Sequence, residues 1–211
     1  MRRPEFLARQ ARRPSGILGR LLGRVMALET AAENAVALEL LELQPTDHVL
    51  EIGFGPGATV GRAAAETPDG FVAGVDASET MVRLAASRNR RLIAGGGMEL
   101  KIADSAALPY GDARFDKAYA VHVLYFWKDP LAHLREARRV LRPGGRFVLG
   151  FRSDPAAVRD FPSPIYRFYS PEEAERLLEQ SGFRQMRSVV RGLAGRRLVW
   201  VIGRAPDPAP H

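Results

Sequence analysis

At 211 residues the chain is long enough to bury a real core, and it fits one domain with a short appendage. Its 46% hydrophobic and 26% charged residues exclude a disordered protein, and no apolar run is long enough to span a bilayer. Cysteine is absent, which excludes a disulfide scaffold, a thiolate metal site and a thiol nucleophile and makes a cytoplasmic address the expectation.

The net charge of +7 is unevenly placed. Arg2, Arg3, Arg9, Arg12, Arg13, Arg20 and Arg24 stand against the single acid Glu5, so the rest of the chain is close to neutral. Such a basic arm suits nucleic acid, anionic lipid or an acidic substrate, and it equally suits a solvated tail. Met1 to Arg13 lacks the apolar core of a secretory signal. Residues 15–43 read as two helical pieces. In the first, Ile17, Leu18, Leu21, Leu22, Val25 and Met26 recur at helix spacing, weakened by Gly16, Gly19 and Gly23. It can close as a lid, lie on a membrane as a peripheral contact, or pack on the core. The second, Ala31 to Leu43, stops before the turn Pro45-Thr46-Asp47.

Strand and helix then alternate. A strand runs into Glu51-Ile52, and Gly53-Phe54-Gly55-Pro56-Gly57 turns into a helix over Thr59 to Glu66. Phe71 to Val75 is a strand ending at Asp76, and Ser78 caps a helix over Glu79 to Asn89. Met98 to Ala103 ends at Asp104. Lys117 to Val123 is a further strand, and Pro130 to Leu141 a helix closed by Arg142-Pro143-Gly144-Gly145. Arg146 to Phe151 follows. Ser170-Pro171-Glu172-Glu173 opens a helix that Gly182 ends, before strands near Gln185 to Val190 and Arg197 to Ile202 and a Pro-rich tail. The pattern implies an α/β, doubly wound sheet. Residues 1–30 form a basic arm and lid helix, 31–204 the main domain and 205–211 the tail.

The stretch Val49-Leu50-Glu51-Ile52-Gly53-Phe54-Gly55-Pro56-Gly57-Ala58 is the strand, tight loop and helix start that cradles nucleotide-like ligands. Gly53-x-Gly55-x-x-Ala58 also fits the dinucleotide fingerprint, and a glycine turn can simply link strand to helix. Glu51 separates these readings, because a carboxylate beside exposed amides suits a cationic group and poorly suits a pyrophosphate. Glu51, Asp76 and Asp104 stand at the carboxyl ends of three successive strands, where open α/β sheets bind ligands. Asp76 lies where a ribose-diol carboxylate is expected, and Asp104 can accept from an exocyclic adenine amine.

On these residues, the chain resembles the class I S-adenosylmethionine-dependent methyltransferases, in particular the small-molecule branch typified by the ubiquinone/menaquinone-biosynthesis (type 11) enzymes. The likeness covers about residues 30–203. It rests on the glycine stretch, Gly74-Val75-Asp76-Ala77-Ser78, Ala103-Asp104-Ser105-Ala106-Ala107-Leu108-Pro109-Tyr110, Phe115-Asp116, Leu141-Arg142-Pro143-Gly144-Gly145 and Tyr169-Ser170-Pro171-Glu172-Glu173. It implies a mostly parallel, seven-stranded Rossmann-like sheet with a final antiparallel hairpin. It also implies S-adenosylmethionine as cofactor and S-adenosylhomocysteine as product. Glu51, Gly53, Phe54, Gly55 and Gly57 would hold the methionine end, Asp76 the ribose hydroxyls, Asp104 and Ser105 the adenine, Val121 and His122 would flank the sulfonium, and Ala77 and Met81 would also contact the cofactor. No metal is expected.

Methyl transfer is an in-line displacement that asks mainly for positioning. A base is needed only where the acceptor must lose a proton, and His122 is the candidate, with Tyr125 beside it. His122 can equally pack or bond the cofactor. Tyr125, Phe126 and Trp127 can form an apolar wall or a cation-binding face, or start a buried helix. Phe161, Tyr166, Phe168 and Tyr169, with Arg159 and Arg167, point to a substrate loop over Arg152 to Tyr169 that takes a flat or lipidic, anionic small molecule. The same residues also suit a packed lid. A nucleic-acid methyltransferase using the basic arm is the alternative within the class. The absence of cysteine and of an Asn/Asp-Pro-Pro-Tyr/Phe segment argues against it. A NAD(P)-dependent oxidoreductase is the alternative outside the class, opposed by Glu51 and Asp104. Monomer and homodimer are both compatible with the sequence.

Overall fold

The computed structural model describes residues 5–153, 165–193 and 195–207. Seven strands form one sheet: β1 (His48–Ile52), β2 (Phe71–Asp76), β3 (Met98–Ile102), β4 (Phe115–Val121), β5 (Leu141–Arg152), β6 (Arg184–Leu193) and β7 (Arg196–Arg204). Their order is β3-β2-β1-β4-β5-β7-β6. The first five run parallel, and β7 pairs antiparallel with both β5 and β6. The sheet and its closing hairpin are as the sequence implies. The order reverses between β1 and β4, and the crevice outside their carboxyl ends is where such a sheet can take a ligand.

The strands are apolar on both sides because helices cover both faces. On one face Val49, Val72, Tyr119, Val148 and Trp200 pack under α3 (Ala31–Leu41), α4 (Ala58–Glu66) and α5 (Glu79–Arg88). On the other, Leu50, Ile52, Phe115, Phe147 and Leu149 pack under α7 (Pro130–Val140) and α8 (Pro171–Gln180). The signals that start these helices are satisfied. Ser78 accepts the Met81 N–H, Asp129 accepts from Leu131 and Ala132, and Ser170 and Glu173 complete a capping box ahead of Pro171.

Four local features differ from the reading of the sequence. The basic arm is helical over α1 (Glu5–Arg12), where Ala8 packs into the core and Glu5 pairs with Arg9 one turn on. The apolar helix runs to Glu29 as α2 (Gly16–Glu29). A short helix, α6 (Arg90–Ala94), follows α5. β4 ends at Val121 because His122 takes a left-handed φ of 60°, and one 3₁₀ turn, Leu124–Phe126, follows. Leu18, Leu21, Val25 and Leu28 form an exposed stripe on α2 while Gly19 and Gly23 face inward, so the glycines serve close packing of that helix. Of the described residues, no helix is long and apolar enough to cross a membrane. Phe161 and Arg159 lie outside the described residues.

Gly57 shows how tightly the glycine bend is fitted. Its φ is +77°, and a Cβ there would sit 2.4 Å from the Ala85 Cβ on α5. Replacing it (Gly57→Val) combines left-handed strain with a clash, so we expect a loss of at least about 2 kcal/mol, or about 4 °C or more in Tm. Thermal unfolding followed by circular dichroism measures this.

Candidate functional site

The site begins where β1 stops. Gly53 leaves the strand with a φ of +79°, and a side chain there would meet Val123 Cγ1 at 2.3 Å. Its N–H donates to the Val75 carbonyl at 2.8 Å, which ties the bend to β2. Gly57 then caps α4, and the N-terminal residues Ala58 and Thr59 face a cavity of about 590 Å³.

Asp76 stands at the end of β2. Its Oδ2 accepts the Gly55 N–H at 2.9 Å and its Oδ1 accepts the Ser78 N–H at 2.8 Å, so one carboxylate fixes both loops of the rim. Burial pushes its pKa up to about 6, against the pull of those two hydrogen bonds. Glu51 is buried in the central strand. Its register partner on β4 is Tyr119, whose hydroxyl donates to Glu51 Oε2 at 2.7 Å. Burial drives the Glu51 pKa up to about 8, opposed by the Tyr119 bond and reinforced by Asp76. Asp104 is more open, and its Oδ1 accepts the Ala106 N–H at 2.9 Å.

All three acids line the same cavity, together with Gly53, Phe54, Gly55, Ala77, Met81, Ser105, Val121 and His122. Gly57, grouped with them from the sequence, is set back from the cavity wall and shapes the bend instead. Tyr125 is likewise absent from this wall and lines a smaller cavity of about 110 Å³. His122, Phe126, Ala11, Met26 and Thr30 border both cavities. The smaller one also takes in Tyr166 and Phe168 from the predicted substrate loop. Tyr169 and Arg167 turn away, the guanidinium lying 5.0 Å from the Tyr169 ring centroid.

Several residues of the site were not singled out in the sequence. His133, on the first turn of α7, bonds Ser105 Oγ at 2.7 Å and stacks on Trp127 with centroids 4.7 Å apart, and burial lowers its pKa. Arg13 donates from Nε to the Ala77 carbonyl at 3.0 Å, and Ser78 Oγ donates to the Pro14 carbonyl at 2.5 Å. These bonds latch the α1–α2 junction over the cavity mouth. Glu33 on α3 is buried against His122 Nε2. The sequence carried no signal for it, because α3 is apolar on all sides and does not mark the face on which Glu33 stands.

Residues 50–149 match the family model described as a methyltransferase domain. The chain is 33% identical over 150 residues to the O-methyltransferase cnsE of Penicillium expansum, covering 65% of this chain and 52% of that protein. It is 32% identical over 153 residues to the 27-O-demethylrifamycin SV methyltransferase of Amycolatopsis mediterranei, covering 68% and 56%. The chain thus spans about half the length of these curated relatives. Among solved structures it resembles a putative methyltransferase of Haloferax volcanii in complex with the Trm112 methyltransferase activator, with a TM-score of 0.76, 20% identity and 98% of each chain covered.

Glu51 also makes a prediction for stability. Its folded pKa is raised from an ordinary 4.5 to about 8, so the protein loses stability as pH climbs through that interval. Wild-type Tm should therefore fall across it, and Glu51→Gln, which stays neutral, should lose less. Thermal melts across the interval test this.

Proposed function

Residues 50–149 match a methyltransferase domain, and from that premise we propose that the chain is a class I S-adenosylmethionine-dependent methyltransferase that transfers the methyl group of S-adenosylmethionine to a small-molecule acceptor and releases S-adenosylhomocysteine. The convergence of Glu51, Asp76 and Asp104 on one cavity at the switch point carries this reading. In it, residues 1–30 serve as lid and 31–204 as the methyltransferase domain.

The residues present fit that cofactor. Glu51 is a desolvated carboxyl bonded, among the described residues, to the Tyr119 hydroxyl, a setting in which an incoming ammonium favours the ionised form. A Cβ at Gly55 would meet nothing within 4 Å, so its bare backbone borders open cavity. Asp76 keeps lone pairs for the ribose hydroxyls beyond its two backbone bonds. Asp104 and Ser105 would hold the adenine beside His133 and Trp127. When bound, the cofactor supplies a sulfonium-activated methyl, already strongly electrophilic.

What remains for the chain is to orient the acceptor and exclude water. His122 stands between the larger cavity and the smaller, aromatic-walled one, which therefore receives the acceptor. The relatives named as O-methyltransferases support oxygen as the methylated atom. Nucleic acid fits less well as acceptor, because Arg9 is paired with Glu5 and Arg13 is bonded to Ala77 in the lid.

Titration calorimetry tests this directly. S-adenosylmethionine should bind and NAD should not, and Glu51→Ala should weaken binding by about 30-fold or more, about 2 kcal/mol. Glu51, with its pKa near 8, is largely protonated in the free protein at neutral pH. A cationic ligand favours its carboxylate, so binding should release protons and tighten as pH rises toward about 8. Heats measured in buffers of different ionisation enthalpy read that release. No binding at roughly millimolar ligand would sink the assignment.

A further inference from the structure

A line of polar groups runs from the N-terminal helices to the wall between the two cavities. Arg196 at the start of β7 approaches Glu33 Oε1 at 3.6 Å, and Glu33 Oε2 contacts His122 Nε2. His122 Nδ1 lies 2.9 Å from the Tyr125 hydroxyl, which accepts the backbone N–H of Arg152. Burial raises the Glu33 pKa, but the hydrogen bond from His122, with the charges of Arg196 and Arg152, outweighs it and keeps the carboxyl below its ordinary value.

Proton counting shows the arrangement a relay uses. Tyr125 oxygen has one proton and two lone pairs. One lone pair takes the Arg152 N–H, and with His122 in the tautomer protonated on Nε2 the Tyr125 proton is directed to Nδ1. His122 then carries its own proton on Nε2 and donates it to the Glu33 carboxylate. One Tyr125 lone pair is left, on a side chain that lines the smaller cavity. The same order of carboxylate, imidazole and hydroxyl shuttles protons in hydrolytic triads. The left-handed backbone of His122 is a strain that surrounding bonds must hold, as at many working sites.

We propose that Glu33, His122 and Tyr125 form a proton relay for an acceptor hydroxyl of phenol or enol type, carried on a flat unsaturated ring. This rests on the methyl-transfer reading above. The acceptor oxygen gives its proton to Tyr125 as the Tyr125 proton passes to His122 Nδ1. The oxygen forms its bond to the methyl carbon while the carbon–sulfur bond breaks, the electron pair staying on sulfur to leave a neutral thioether. The one proton released rests on His122, stabilised by Glu33, and later returns to solvent.

Two features select the acceptor class. The proton comes to rest on an imidazole, a base that takes it far more readily from a phenol or enol hydroxyl than from the much less acidic aliphatic alcohol. Tyr125, Phe126, Tyr166 and Phe168 also form a contiguous ring cluster, with neighbouring centroids from 4.9 Å (Phe126–Tyr166) to 6.0 Å (Tyr166–Phe168), a wall suited to a flat ring. Glu33 is a positioning residue in this scheme, acting through His122.

The test uses the full chain, methyl-labelled cofactor and a series of para-substituted phenols, from 4-nitrophenol to 4-methoxyphenol. Wild type should methylate both ends of the series. Glu33→Gln and Tyr125→Phe should each lose about 100-fold in kcat on the weakly acidic phenols. On 4-nitrophenol, already largely ionised in mildly basic buffer, they should lose little, with KM and cofactor affinity near wild type. Loss of equal size across the series would make both residues structural and overturn the relay, even if one variant folds poorly and only the other is read. Methylation of none of the phenols by a wild-type chain that binds S-adenosylmethionine would overturn the acceptor class alone. Failure to bind it would remove the methyl-transfer reading itself.

Discussion

A carboxylate buried in the middle of a sheet is the constraint around which this protein is arranged. Glu51 occupies a position in β1 where both faces of the sheet are covered and an aliphatic residue would be more stable. Taking a charge out of water there is costly, and among the described residues the chain answers with the Tyr119 hydroxyl and no cation. Its pKa is left near 8, so a positive ligand at the end of β1 favours the ionised carboxyl and draws off its proton. Asp76 shows a milder version of the same device. Its two backbone bonds spend part of the field on holding the rim in shape, and its pKa rises less.

The rim forms one side of the cavity, and the N-terminal segment lines another. Arg13 and Pro14 bond the turn after β2, while Gly23 lets α2 approach Met81, where a Cβ would come within 2.9 Å of its Sδ and Cε. The glycines that weaken α2 as an isolated helix are thus what allow it to seat. Local propensity and tertiary packing disagree here, and packing decides the outcome.

Much of this was legible beforehand because it depends on short-range signals. Alternating apolar runs, the bend at Gly53 to Gly57 and acids at three strand ends define the sheet and its crevice without any long-range information. Glycine in a loop signals either ligand approach or chain packing, and at Gly57 the closeness of Ala85 shows that packing already requires the glycine. The helix α1 went unread because its arginines hide a single buried stripe through Ala8. Glu33 was missed for a different reason. Its partner His122 is 89 residues away, and an acid in an alanine-rich helix looks solvated until the helix is docked.

The two cavities share a wall because of how β4 ends. A strand that continued through Val123 would have carried His122 along the sheet and sent Tyr125 away from it. The left-handed turn at His122 instead stops β4 at Val121, and the 3₁₀ turn brings the Tyr125 hydroxyl back onto the imidazole. One residue therefore faces the cofactor-type cavity on one side and the aromatic cavity on the other. The rim acids on β1 to β3 set the first cavity. The second is built from α1, α2, α3, β5, β7 and the Tyr166–Phe168 segment. Changes in those outer elements can reshape the aromatic cavity while the bonds of Glu51 and Asp76 stay intact. The fold thus separates what must stay fixed from what can vary, and His122 is the point where the two meet.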